Sequence, residues 1–254
     1  MQIRDLISCF DRVYVVNLPE RLDRKQETIA EFKRIGLNVP NERVRFFEAT
    51  RPDNADEFPS IGSLGNFISQ TRVLRECIEL GLDRVAICED DLKFNAVSPE
   101  AMKRIVEDIK TEDWNIASLA YLKPDQQLSE PPGLVKWDGS TRGCHFYAVR
   151  GEAIKSFHDY LVACRQRPAG HPEGGAMFFD GAFNMVRHKM PNIRFFIANP
   201  CVADQRASRT DLHALRFFDR VEPFRSAASM ARKLKNLLGH SEFKGPVFAT
   251  SQAT

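Results

Sequence analysis

The 254-residue sequence predicts an α/β fold with a mostly parallel central sheet flanked by helices. Strand-like and helix-like stretches alternate through the first half of the chain, the pattern that builds a parallel sheet covered on both sides. Val85 to Cys88 form a short apolar run of the kind that becomes a buried strand. That run leads directly into Glu89, Asp90 and Asp91, and in α/β sheets ligands bind beyond the carboxyl ends of the strands.

Taken in order, Arg12 to Leu18 is the first strand, and Pro19 breaks it before a polar helix from about Arg21 to Ile35 that Gly36 stops. Arg43 to Glu48 alternates polar and apolar residues as a second strand. A loop from Thr50 to Gly62 precedes a helix that Ser63 would cap and that reaches Leu80, with Leu64, Phe67, Ile68, Thr71, Leu74 and Ile78 on one face. After Asp91 come a helix from about Ser98 to Lys110, a strand from Asn115 to Tyr121, and a hairpin spanning Leu134 to Val149. A helix from Gly151 to about Arg165 follows, then a Pro- and Gly-rich loop from Arg167 to Gly175 that reads as mobile over a site. Phe178 to His188 reads as helix and Ile193 to Ile197 as strand. Residues 1–222 are expected to form one domain, with 223–254 a C-terminal basic amphipathic helix and tail.

Composition narrows the partners. Thirty-six Lys and Arg against 34 Asp and Glu leave a charge of +2, too small to imply nucleic acid. No apolar run approaches the length of a membrane span, and Met1 to Phe10 lacks the apolar stretch of a secretory signal. The six cysteines form no CxxC pair, so free thiols in a reducing cytoplasm are expected rather than structural zinc.

Three adjacent carboxylates at a buried strand's end repel one another and resist desolvation. A divalent cation relieves that repulsion, and hard oxygen ligands suit Mg²⁺ or Mn²⁺. A solvated acidic turn before the next helix is the alternative reading of the same residues.

Several stretches, in their order along the chain, resemble glycosyltransferase family 25, the lipopolysaccharide and procollagen galactosyltransferase group. Val13 to Arg24 resembles the family's opening strand, Asn-Leu and arginine pair. Gly62 to Gln70 resembles its Gly-x-x-Gly-Cys-x-x-Ser-His block, Glu89-Asp90-Asp91 its acidic triplet, and Gly143 to Tyr147 its Gly-Thr-His-Ala-Tyr segment. Asp180 falls where the family has Pro-Val-Asp, and Gln205 to Asp211 resembles its closing region. The sequence departs from the pattern where Asn66 replaces Cys, Gln70 replaces His, and Phe178-Phe179 replaces Pro-Val.

The resemblance implies a GT-A-like nucleotide-sugar-binding fold and an inverting hexosyltransferase, with galactose from UDP-galactose the expected donor sugar and Mn²⁺ or Mg²⁺ as cofactor. The acceptor it implies is a glycan or lipid-linked glycan, in lipopolysaccharide or another bacterial surface glycan. It assigns Asp91 and Glu89 to the metal, with Glu89 also on the ribose side and Asp90 reaching the metal through water or orienting the sugar. Asn17 and Leu18 close the first strand beside base or ribose, and Arg21 and Arg24 share a helix face from which guanidinium groups can pair with diphosphate. Glu20 and Asp23 are alternative partners for those arginines. Gly62, Ser69, Gln70 and His145 complete the implied donor site, with His213 and Gln205 as further candidates; Asp180 is the implied base, or else a helix cap.

In the tail, Met230, Leu234, Leu237 and Leu238 share a helical face beside Arg232, Lys233 and Lys235. The segment 225–240 therefore suits peripheral contact with an anionic membrane, at the inner face of the cell membrane, or packing on the domain. Two other functions fit the same residues: a non-catalytic nucleotide- or glycan-binding family member, and a metal-dependent nucleotidyltransferase.

Overall fold

The computed structural model describes residues 1–124, 128 and 130–206. The tail helix, His213 and the expected division at 222/223 lie outside them. In chain order the elements are α1 (Ile3–Ile7), β1 (Arg12–Asn17), α2 (Leu22–Arg34), β2 (Val44–Glu48), α3 (Ile61–Glu79), β3 (Arg84–Glu89), β4 (Leu92–Phe94), α4 (Pro99–Thr111) and β5 (Ile116–Ala120). There follow β6 (Lys123–Pro124), β7 (Gly133–Lys136), β8 (Thr141–Arg142), β9 (Phe146–Arg150), α5 (Ala153–Arg165), α6 (Phe179–Lys189), β10 (Phe195–Asn199) and β11 (Ala203–Gln205).

Seven strands make the main sheet in the order β2-β1-β3-β9-β5-β10-β7. β1 is parallel to β2 and β3, and β10 to β5, whereas β9 opposes both its neighbours and β7 opposes β10. Only β9 and β7 therefore run against the common direction, and the α/β class with a mostly parallel sheet stands. Alternate residues of each strand feed two separate cores. On β1 and β3, Tyr14, Val16, Val85 and Ile87 pack with Phe67 and Leu74 of α3, Phe157 of α5 and Phe183 of α6. Val13, Val15, Ala86 and Cys88 face the other way, toward Leu6 of α1, Phe32 of α2 and Ile105 of α4. A strand buried on both faces has no polar side to alternate, which is why Val85–Cys88 reads as an unbroken apolar run.

Two expectations are corrected. The span Leu134 to Val149 is no hairpin: β5 and β10 stand between β7 and β9. Phe146, Tyr147, Ala148 and Val149 are all fully buried, so β9 is suited to the sheet interior, while β7 ends in exposed Lys136 and takes an edge. The cap of α3 is Ser60 rather than Ser63. The Ser63 amide donates to the Ser60 hydroxyl oxygen at 3.0 Å, and the Ser60 amide donates back to the Ser63 hydroxyl oxygen at 2.9 Å. Two serines three residues apart satisfy each other's amides, and the helix starts at the first of them. In α4, Ser98 caps as expected, accepting from the Ala101 amide at 3.2 Å. All six cysteines are free thiols. Among the described residues no helix is long and apolar enough to cross a membrane.

Candidate functional site

The acidic triplet sits where β3 ends and the chain turns into β4. Asp90 and Asp91 are buried, at 5% and 8% exposure, and Glu89 is partly buried. Asp90 faces inward to the first βα unit: Asn17 donates through Nδ2 to its Oδ2 at 2.7 Å, and Arg24 through Nη1 to its Oδ1 at 2.7 Å. Thr28, on the next turn of α2, donates through its hydroxyl to the Asp90 carbonyl at 2.6 Å. Asp91 lies 3.8 Å from the second guanidinium nitrogen of Arg24. Arg24 thus stands between two of the three acids, ready to neutralise charge there.

Glu89 is held differently. Its backbone amide donates to the His145 carbonyl at 3.0 Å, and Gln205 donates through Nε2 to its carboxylate at 2.7 Å. Burial first, then the charges of Asp91, Asp180 and Asp90, push the Glu89 carboxyl up to about 8. That combination brings Asp180, 91 residues away in sequence, into one electrostatic cluster with the triplet (180 − 89 = 91).

Asp180 occupies the first turn of α6, but Phe178 holds the cap position and no side chain caps the helix. The carboxylate instead reaches across to the turn before β9. Gly143 donates its amide to Oδ2 at 3.0 Å, and Cys144 donates its thiol to Oδ1 at 2.9 Å. Gly143 has φ +72°, a conformation only glycine adopts without strain, and a Cβ there would meet His145 Nδ1 and Leu122 Cγ, each at 3.1 Å. One turn along α6, Asn184 donates through Nδ2 to the Thr141 carbonyl at 2.7 Å and accepts from the Thr141 amide at 2.9 Å. Asp180 and Asn184, four residues apart, together clip this loop to the helix.

His145 is fully buried, and burial pushes its imidazole pKa down. Neither ring nitrogen makes a well-formed hydrogen bond, though the Ala203 backbone lies close enough to favour the protonated form somewhat. Burial outweighs that contact, and the ring is neutral at pH 7.

The remaining expected residues fall in three places. Arg21 forks onto Asp23, with both hydrogen bonds at 2.9 Å, and it precedes α2 rather than sharing its face with Arg24. Leu18 is partly buried in the turn that links β1 to α2, its carbonyl accepting from the Arg21 amide at 2.9 Å. Gly62 and Gly65 lie inside α3; a Cβ on Gly65 would come within 2.4 Å of the Thr50 carbonyl oxygen, so helix and loop touch there. Ser69 ties the same junction, donating to the Gly65 carbonyl at 2.6 Å and accepting from the Thr50 amide at 2.8 Å. Gln70 is buried and accepts from the Tyr147 hydroxyl at 2.8 Å. The Arg167–Gly175 loop contributes Arg167 and Pro168 to an open cavity of about 330 Å³, opposite Asp56, Glu57 and Phe58.

Thr28, Cys144 and Asn184 carry site contacts that the sequence did not announce. The i,i+4 pairs Arg24/Thr28 and Asp180/Asn184 were available as a signal, since such spacing puts two polar groups on one helix face.

Acidic side chains gathered beyond the carboxyl end of parallel strands are the layout of an α/β ligand site. Residues 10–130 match the family model described as glycosyltransferase family 25 (LPS biosynthesis protein). Over that stretch, just under half of its length, the chain is similar to glycosyltransferase family 25. It is 24% identical over 148 residues to the human "Inactive glycosyltransferase 25 family member 3", an alignment covering 50% of this chain and 25% of that protein. It is 24% identical over 140 residues to the Xenopus laevis "Procollagen galactosyltransferase 1-B", covering 48% and 23%. The chain thus spans about a quarter of the length of these curated relatives. Among solved structures, a glycosyltransferase involved in glycosylation of the major capsid of PBCV-1 aligns with a TM-score of 0.48 and 11% identity, over 88% of this chain and 98% of the other. A UDP-glucose pyrophosphorylase complexed with UDP-glucose aligns with a TM-score of 0.43 and 10% identity, over 92% and 85%.

A divalent cation fits this acid set in part. Carboxylate oxygens from Glu89 and Asp91 are hard donors, and the charges that push Glu89 up to about 8 are those a cation would relieve. Among the described residues, however, no three His, Cys, Asp or Glu side chains form a ready ligand set. The protein would supply one or two carboxylates and leave the other positions to water and phosphate, the usual mode for Mg²⁺ and Mn²⁺ at phosphate sites.

Proposed function

We propose that this protein is a GT-A-like, inverting glycosyltransferase that moves a hexose, most simply galactose from UDP-galactose, onto a glycan hydroxyl. The carrying observation is the acidic triplet at the carboxyl end of parallel strand β3, with Asn17 and Arg24 both bonded to Asp90. A Mn²⁺ or Mg²⁺ held by Asp91 and Glu89 would act as a Lewis acid on the diphosphate leaving group. Asp90 fixes Asn17 and Arg24, so the amide and guanidinium are already in place when the donor arrives. Arg24 offers its charge at the diphosphate side. Asp180 is oriented to take the proton from the acceptor hydroxyl as it attacks the anomeric carbon, with UDP leaving from the opposite face. A surface glycan such as lipopolysaccharide is the acceptor that the family description favours.

The test is UDP release by the purified protein with Mn²⁺, screened over UDP-galactose, UDP-glucose and their N-acetyl analogues, with and without EDTA. Chelator-sensitive release from one donor supports the proposal and names the donor. UDP binding by calorimetry without release from any donor supports instead a non-catalytic binding protein. That second reading is favoured by the uncharged Asn66–Gln70 pair and by the relative named as inactive.

A further inference from the structure

We propose that Cys144 is a positioning residue, whose thiol holds the Asp180 carboxylate in the plane from which it acts as base. This rests on the base role given to Asp180 above. The carboxylate is tethered at both oxygens, by the Gly143 amide at 3.0 Å and the Cys144 thiol at 2.9 Å, and the left-handed turn at Gly143 aims both donors the same way. A carboxylate gripped at both oxygens cannot rotate, yet each oxygen retains a further lone pair for an incoming hydroxyl.

The sulfur keeps the proton it donates. Cys144 is 4% exposed, and burial followed by the Asp180 charge holds its pKa well above that of an ordinary thiol. The identity of the donor also matters. Every hydrogen bond to a carboxylate lowers its basicity, strong donors more than weak ones, and a thiol is a weak donor. Cys144 therefore fixes the direction of Asp180 through a weak donor.

The test has two readouts on the full chain. In infrared difference spectra of wild type against Cys144→Ala, the S–H stretching band of Cys144 is isolated from the other five thiols. Hydrogen bonding lowers that frequency, so the band is expected to move up in Asp180→Asn; a band that stays put overturns the proposal. In UDP release from UDP-galactose with Mn²⁺, Cys144→Ala is expected to lower kcat about tenfold with donor KM unchanged, a fraction of what a well-placed base contributes. Cys144→Ser, which restores a donor, is expected to recover kcat to within a few-fold. Wild-type turnover in Cys144→Ala beside an inactive Asp180→Asn overturns the positioning role alone. Wild-type turnover in Asp180→Asn, or no release from any of the screened UDP-sugars by wild type, overturns the base reading and the positioning role with it.

Discussion

Asn66 and Gln70, two of the positions at which the sequence departs from the family's pattern, are bonded to each other. The Gln70 amide donates through Nε2 to Asn66 Oδ1 at 3.2 Å across one turn of α3, while its Oε1 accepts from the Tyr147 hydroxyl at 2.8 Å. The two departures are thus in direct contact. A uncharged amide chain runs from the helix to β9, and nothing in it titrates near neutral pH.

Gln70→Leu should therefore cost stability. The Tyr147 hydroxyl is fully buried and would lose its acceptor, at a cost of about 1–3 kcal/mol. Urea unfolding of wild type and variant reads it directly. Equal midpoints would mean that the hydroxyl finds another partner and that Gln70 is dispensable to the fold.

Asp90→Ala should be the most destabilising change in the triplet. Asn17 and Arg24 both direct donors at this one carboxylate, which is 5% exposed. Withdrawing one partner of a buried ion pair costs about 3 kcal/mol or more. A loss of unfolding free energy in urea well under half of that would assign Asp90 to the ligand rather than to the framework.

Asp91→Ala should behave in the opposite way. It removes one charge from a crowd of like charges at the cost of a 3.8 Å contact with Arg24, which keeps its bond to Asp90, so the unfolding midpoint should stay close to that of wild type or exceed it. Mn²⁺-dependent UDP release should disappear. Near-normal release would refute the metal role of Asp91.

Glu89 sets a pH dependence. Its carboxyl titrates near 8 in the folded chain against 4.5 when free, so between those values the folded state holds a proton that the unfolded state has lost. The associated stabilisation is complete below about 4.5 and is lost as pH rises through about 8. In EDTA, the Tm difference between wild type and Glu89→Gln, measured from pH 5 to 8.5, should change in favour of the variant as pH rises. A difference constant across that window would contradict the raised pKa.

What was legible in the sequence was what neighbouring residues determine. Val85 to Cys88 followed by three acids announces a buried strand ending at a site, because burial and charge lie side by side in the chain. The division of labour among those acids was not legible. Asp90 takes its partners from Asn17, Arg24 and Thr28, which are 73, 66 and 62 residues away. Asp180 could be read either as a cap or as a base; it does not cap α6, and its partners Gly143 and Cys144 lie far from it in the chain. The hairpin expected over Leu134 to Val149 failed for a similar reason: alternation reveals that strands exist, whereas pairing depends on which edges remain open. Ser63 was the expected cap, and the helix starts three residues earlier because Ser60 has the extended backbone of a cap and accepts from the Ser63 amide.

The insertion of β9 between β3 and β5 constrains how the molecule can be made. A chain ending at residue 130, where the family match stops, would contain both flanking strands but not the one that joins them. Each would present a bare row of amides and carbonyls, an invitation to pair with another copy. The Glu89 amide would also lack the His145 carbonyl that anchors it. On the ribosome, the acidic centre therefore has no finished form until β9, Asp180 and Gln205 have all been added.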